Sequence, residues 1–320
     1  MRRPLWLLAL VVAPALACAS KAAGPSAASP PAADSAEPAR PGDPVVTLLA
    51  PGNEPRAPLR YRVPAGYKAV QMMDMNMAMA MSIDGETFPA VKTPPIRMAF
   101  GIDVPELAPD GTNRAVCTIT SVDVRARPDD LPDLVEKMKS GLAGMVGLTT
   151  NMRLTSRGFA RDVKISVPPS LPANMQSMLQ AVRNITEQAG AIFPAEPVGQ
   201  GARWRVESTI DTAGIKLRQA VIVTLEWRDS NQAYLVMAIE QTAEPQPINN
   251  PELPSGAIAS LERHAGKGEG RLHVELGSRI VNGRIAMKAN TVTAVVMNET
   301  RKKFGVDMDM DVTFAPGPAN

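Results

Sequence analysis

Apolar and polar residues alternate with a period of two along most of the chain between residues 44 and 316. That is the mark of strands that bury one face. IRMAFGIDV sets Ile96, Met98, Phe100, Ile102 and Val104 on one side, and FARDVKISV does the same with Phe159, Arg161, Val163, Ile165 and Val167. GIKLRQAVIVTLEW alternates through Ile215, Leu217, Val221, Val223, Leu225 and Trp227. The turn-rich Asp229-Ser230-Asn231 then leads into AYLVMAIEQT, so the two runs read as a hairpin. RLHVEL, RIAMKA, TVTAVVMNE and KKFGVDMDMDVTF continue the pattern, and Asn282-Gly283 between the first two is a tight-turn signal.

Two segments break the period. From Asp129 to about Leu148 the apolar residues Leu131, Leu134, Val135, Met138, Leu142 and Met145 fall at helical spacing behind Pro132. From about Pro172 to Gly190, Met175, Met178, Leu179, Val182 and Ile185 do so and end at a glycine. The expected fold is α+β: a large curved antiparallel sheet, a half-barrel-like meander, with two embedded helices packed on it. Helices do not alternate with strands, which argues against α/β. Pro245 to Gly256 reads as a long proline-rich excursion, a subdivision there being the alternative. HAGKGEG, 264–270, reads as a glycine-rich loop without the strand and helix context of a phosphate loop.

The start of the chain carries a different signal. Arg2 and Arg3 precede an apolar run from Leu5 to Ala15, too short to span a bilayer comfortably, and Ala15-Leu16-Ala17 precedes Cys18. The arrangement resembles a bacterial lipoprotein signal, with Ala15 standing where a leucine is usual. It implies a signal peptide over 1–17 and lipidation of Cys18, with Ala19 compatible with the outer membrane. Cleavage after Ala17 that leaves Cys18 free is the alternative. Residues 18–43, rich in Ala, Pro and Ser, lack the apolar surface to offset chain entropy and read as a tether. A single domain then covers 44–316, and 317–320 are a tail. The expected location is the bacterial cell envelope, lipid-anchored at the outer membrane and facing periplasm or cell surface.

Charge and composition narrow the function classes. The formal net charge is +2, and setting aside Arg2 and Arg3 leaves acidic and basic side chains balanced. No basic stripe with interleaved aromatics appears, so a nucleic-acid partner is not expected. Cys117, in an apolar strand pattern, reads as a small buried hydrophobe, and no disulfide framework is expected. The chain lacks HExxH, G-x-S-x-G, a Walker loop and paired-cysteine spacing, and its two histidines, His264 and His273, have no ligand-like spacing. No cofactor, metal or catalytic residue is expected. Carboxylate-only hydrolysis is the remaining enzymatic class, behind the two non-enzymatic readings below. The low aromatic fraction, 4%, argues against a sugar platform.

The candidate chemistry is apolar. In MMDMNMAMAM, residues 72–81, Met73, Met75, Met77, Met79 and Met81 occupy one face and Ile83 extends the row. Spread over about 26 Å of strand, these sulfurs do not converge on one soft metal. Flexible and polarisable, they suit core packing or an adaptable lipid pocket. The pocket lining expected is Met73, Met75, Met77, Met79, Met81, Met138, Leu142, Met145, Met178 and Val182. Met308 and Met310 repeat the habit, and Asp307, Asp309 and Asp311 between them read as a solvent face, since the glycine of a calcium loop is missing. Gly141, Gly144 and Gly147 favour close packing or fraying near a helix end.

Two patches carry a resemblance: Leu59-Arg60-Tyr61 with Gly66 before the methionine strand, and Phe193-Pro194, Pro197-Val198-Gly199, Gly201 and Trp204. They resemble a family of uncharacterised bacterial lipoproteins, a domain of unknown function, over most of 57–314. The family implies no activity and no catalytic residues. At the level of fold the order of elements is more weakly similar to LolA-like and LppX-like lipid-binding half-barrels. The resulting expectation is a non-enzymatic, lipid-anchored envelope protein that binds a lipid or other apolar ligand between sheet and helices. The alternative is an interaction module that docks an envelope partner protein.

Overall fold

The computed structural model describes residues 40–318 except 109–111, 168–190, 213 and 250–255. In chain order the elements are β1 (Val45–Ala50), β2 (Tyr67–Ile83), β3 (Glu86–Thr87), β4 (Val91–Lys92), β5 (Ile96–Leu107), β6 (Asn113–Val124), α1 (Pro132–Ala143), β7 (Thr149–Leu154), β8 (Ala160–Ser166), β9 (Arg203–Thr212), β10 (Ile215–Arg228), β11 (Gln232–Ala243), β12 (Gln246–Ile248), β13 (Ile258–Glu275), β14 (Val281–Met297) and β15 (Thr300–Pro316). All the strands belong to one antiparallel sheet ordered β1-β9-β10-β11-β13-β14-β15-β2-β5-β6-β7-β8, with β3, β4 and β12 as short side pairings.

The expected α+β class is corrected by this arrangement. The fold is a large antiparallel sheet with a single short helix among the described residues, not a sheet with two embedded helices. The second expected helix, with Met178 and Val182, lies outside the described residues. Helical spacing in 129–148 does produce α1, but Gly144 caps it and Gly147, at φ +87°, takes a left-handed conformation that stops it. Leu131, expected on the apolar face, is the N-cap and 66% exposed.

The sheet is two meanders, β2-β5-β6-β7-β8 and β9-β10-β11-β13-β14-β15, joined where the last strand pairs with β2. The β15–β2 register sets Val306, Met308, Met310, Val312 and Phe314 opposite Met81, Met79, Met77, Met75 and Met73. A register slip of one residue would turn one of the two apolar rows outward, so burial of both rows specifies the pairing. The other face of β15 carries Asp307, Asp309 and Asp311, which meet Asn290, Lys288 and Arg284 of β14.

The two ends of the strand order come together. Asp43, just before β1, pairs with Arg161 of β8, and both side chains are buried, 10% and 6% exposed. The two patches singled out in the sequence meet at the same place. The Tyr61 and Phe193 rings are 4.7 Å apart, Phe193 and Trp204 6.5 Å, and Trp204 Nε1 donates to the Ile192 carbonyl at 2.8 Å. The Arg279 guanidinium lies 4.1 Å over the Tyr61 ring, and burial pushes the Tyr61 hydroxyl up to about 12. Gly158, at φ +102°, lets this join close, because a Cβ there would stand 2.4 Å from the Ala191 carbonyl oxygen.

Three local expectations are corrected. HAGKGEG is not a loop but the middle of β13. Asn282-Gly283 lie within β14, and the turn is at Leu276–Ser278. Trp227 does not share the face of Leu225: a bulge between them shifts the register and leaves Trp227 41% exposed on the outer face. The hairpin at Asp229 forms as expected, its carboxylate accepting from the Asn231 and Gln232 amides.

Candidate apolar site on the inner face

The inward residues of neighbouring strands form rows that cross the sheet. One runs Trp204, Val223, Met237, Gly270, Ile285, Val312, Met75 and Ile96. The next runs Val206, Val221, Ile239, Gly268, Met287, Met310 and Met77. Both are free of charge from edge to edge. The methionines of β2 thus belong to a surface to which seven other strands contribute.

At the centre of that surface stand Gly266, Gly268 and Gly270, at consecutive inward positions of β13. A Cβ on Gly266 would lie 2.9 Å from Met287 Cε, and one on Gly270 2.8 Å from Met237 Cε. The glycines therefore leave room that two methionine tips fill. A methionine has three rotatable bonds and a polarisable sulfur, so its tip can be displaced at low cost by another apolar group.

The expected lining residues divide into three sets. Met73 is buried in the main core cluster, and Met75, Met138, Leu142 and Met145 pack at its margin. Met77, Met79 and Met81 continue the same face of β2 and are half-buried. Met178 and Val182 lie outside the described residues. The helix lies against β6, so Met138 and Leu142 reach the core from that side.

Sequence reasoning missed four polar residues on this face. Gln219, Gln241, His264 and Thr291 occupy inward positions of β10, β11, β13 and β14. Gln241 Nε2 donates to Gln219 Oε1 at 2.8 Å, and His264 Nδ1 lies 2.9 Å from Thr291 Oγ1. Gln241 and His264 are each 3% exposed, while Gln241 Oε1 and His264 Nε2 have no partner. The only sequence signal was a glutamine at an inward position of each of two adjacent strands, visible once their register is known. Gln71, also fully buried, differs in being satisfied: its amide donates to the Val281 and Ala315 carbonyls and accepts from the Val281 amide.

No family model matches this chain. No curated protein matches it either, so the resemblance carried by the Leu59 and Phe193 patches finds no support there. Among solved structures, one titled for lipid–protein interactions in lipovitellin is 12% identical, with a TM-score of 0.41, covering 81% of this chain and 26% of that one. A structure of Pseudomonas aeruginosa OccK11 (OpdR) is 7% identical, with a TM-score of 0.16, covering 80% of this chain and 99% of that one. The chain spans about a quarter of the lipovitellin chain. Likenesses this weak carry no argument about function.

The chemistry of the remaining groups fits an apolar interior. Burial pushes the Cys117 thiol up to about 12, so it is no thiolate at neutral pH. Among the described residues no cluster of three or more His, Cys, Asp or Glu is placed to hold a metal, and no helix is long and apolar enough to cross a membrane. Burial lowers the His264 pKa below its ordinary value. The unfolded chain therefore takes up this proton first, and stability falls as pH drops below about 6.5. Substituting His264 with Gln should flatten that part of the stability–pH curve, measured by urea unfolding between neutral and mildly acidic pH. An unchanged slope would show that other groups carry the acid sensitivity.

Proposed function

We propose that this is a non-enzymatic, lipid-anchored envelope protein that binds an apolar ligand, an acyl chain above all, against the inner face of its sheet. The observation that carries the reading is the uncharged inner surface in which methionine tips from β11 and β14 lie over three successive glycines of β13. A fixed core is better served by branched residues with defined rotamers, and movable methionines over bare backbone suit a variable occupant. The half-buried Met77, Met79 and Met81 extend that surface toward one end of β2. Anchoring through Cys18 would hold the sheet beside a membrane that supplies the ligand.

Native mass spectrometry of the full chain, purified gently from a bacterial envelope, tests this. The expected result is a stoichiometric extra mass that extracts into organic solvent. Met79→Glu, which places a carboxylate on the half-buried part of the face, should weaken binding of an acyl-chain probe by roughly a hundredfold or more, since an unpaired charge against an apolar chain costs several kcal/mol. A bare protein mass, unchanged after incubation with lipid vesicles, would overturn the reading.

A second reading, docking of an envelope partner protein, is supported by one observation on the outer face. Trp227, Tyr234 and His273 form a row there, with centroids 5.5 Å and 4.4 Å apart, and Trp227 and Tyr234 are about two-fifths exposed. Exposed aromatics of this kind anchor protein interfaces. Capture of one envelope protein by the native chain and its loss with Trp227→Ser would favour it.

A further inference from the structure

We propose that Gln241 and His264 form a polar seat for the neutral hydroxyl head of the ligand, so that the preferred class is a long-chain alcohol or acylglycerol and not a fatty acid anion. The inference rests on the apolar-ligand reading above and deepens it.

Of the polar side chains on this uncharged face, Gln241 and His264 are each nearly withdrawn from solvent and each have one hydrogen-bonding atom unused. A buried polar atom without a partner costs about 1–3 kcal/mol, so two on one surface call for a common explanation. They are neighbours. Gln241 stands opposite Gly266 in the β11–β13 register, and His264 is two residues along β13 on the same face. Diagonal pairs of this kind sit about 7 Å apart at Cβ. One oxygen making two hydrogen bonds of about 2.8 Å spans such a gap once the side chains extend toward it. Gly266 carries no side chain to block the space, and what stands beside it is the Gln241 side chain itself and the displaceable tip of Met287.

The atoms also fix the chemistry. Gln241 Oε1 is an acceptor, because its amide nitrogen already serves Gln219. It requires a donor from the ligand. His264 Nε2 is a donor when the Thr291 hydroxyl donates to Nδ1, and an acceptor in the other tautomer. A hydroxyl, at once donor and acceptor, satisfies both atoms, whereas an ester has no donor for Gln241. A carboxylate fails for a second reason. The inward neighbours Ser208, Gln219, Ala243, Ala289, Val306 and Met308 are uncharged, the nearby charges Arg263, Lys267, Glu269 and Arg271 of β13 are exposed on the opposite face, and Glu262 is held by Arg301 and Lys303 of β15. An anion here would be buried without a counter-charge. Burial also keeps His264 in its neutral form.

The test is competition against N-phenyl-1-naphthylamine, an uncharged fluorescent probe, bound to the full chain at neutral pH. Dodecan-1-ol should displace it at roughly tenfold lower concentration than methyl dodecanoate or dodecanoate, as two hydrogen bonds predict. Gln241→Leu and His264→Phe should each bind the probe and lose the preference. His264→Gln, which keeps a terminal donor and acceptor, should retain part of it. Should either apolar variant fail to fold, Thr291→Val, which frees the His264 tautomer, supplies an independent reading by narrowing the preference. Equal displacement by all three ligands in the native chain, or a preference that survives Gln241→Leu, overturns the polar seat while the apolar site stands. A native chain that binds neither probe nor ligands overturns both.

Discussion

Replacing Asp43 with alanine should lower the stability of the folded chain by about 3–5 kcal/mol, the cost of breaking a buried ion pair from one side. Arg161 is 6% exposed on β8, and Asp43 arrives from the opposite end of the strand order, 118 residues away in sequence. Without the carboxylate, a guanidinium almost wholly withdrawn from solvent loses this counter-charge. The Arg161 group also lies 5.6 Å from the Phe159 ring centroid, so its displacement would disturb the packing of the join. Urea unfolding of the native and variant chains measures the loss. Two controls sharpen it. Arg40→Ala removes the neighbouring pair with Asp162, about half exposed at both partners, and should change stability far less. The double change Asp43→Leu with Arg161→Met should recover most of the loss, because an apolar pair of similar volume removes the need for compensation. A loss below about 1 kcal/mol for Asp43→Ala would show that the two ends of the sheet are held together by packing alone.

Trp204→Ala should cost a similar amount, about 3–5 kcal/mol, and by a different mechanism. Trp204 is fully buried on β9, between Leu48 of β1 and Val223 of β10, with its ring against Phe193. Its removal opens a large cavity at the point where residues 191–202 pack under the strands. The indole also holds this segment directly, through the bond to the Ile192 carbonyl. Trp204→Phe separates the contributions. It retains most of the ring volume and leaves that buried carbonyl without its donor, an expected loss of about 1–3 kcal/mol. Near-ultraviolet circular dichroism, together with denaturant midpoints, reads both variants. Were Phe as stable as the native residue, the Ile192 carbonyl would have to be satisfied from elsewhere and the segment would not depend on the indole.

These two sites also show where local sequence information ends. The strands of the candidate site were legible, because alternation is a property of neighbouring residues. Met73 to Met81 at odd positions, and Met308 to Phe314 at even ones, had to face one side of any strand they formed. The start of α1 was legible for the same reason, in its apolar spacing behind Pro132. Misreadings arose where one residue changes the local rule. The glycines of HAGKGEG imitate a loop, yet they serve a strand whose missing side chains make room for Met237 and Met287. The single inserted residue of a bulge turned Trp227 from the inner face to the outer one.

The sequence by itself determined which residues face together within each strand, and hence that the inner surface would be apolar and rich in methionine. Only the tertiary structure decided which strands lie side by side. It placed β15 against β2, where Gln71 bonds Ala315 across 244 residues, brought Gln241 beside His264, and brought Asp43 to Arg161. The physical reason is that side-chain direction follows from the backbone period of a single strand. Pairing instead follows from the burial and hydrogen bonding of all the strands at once, and no stretch of the chain carries that sum alone.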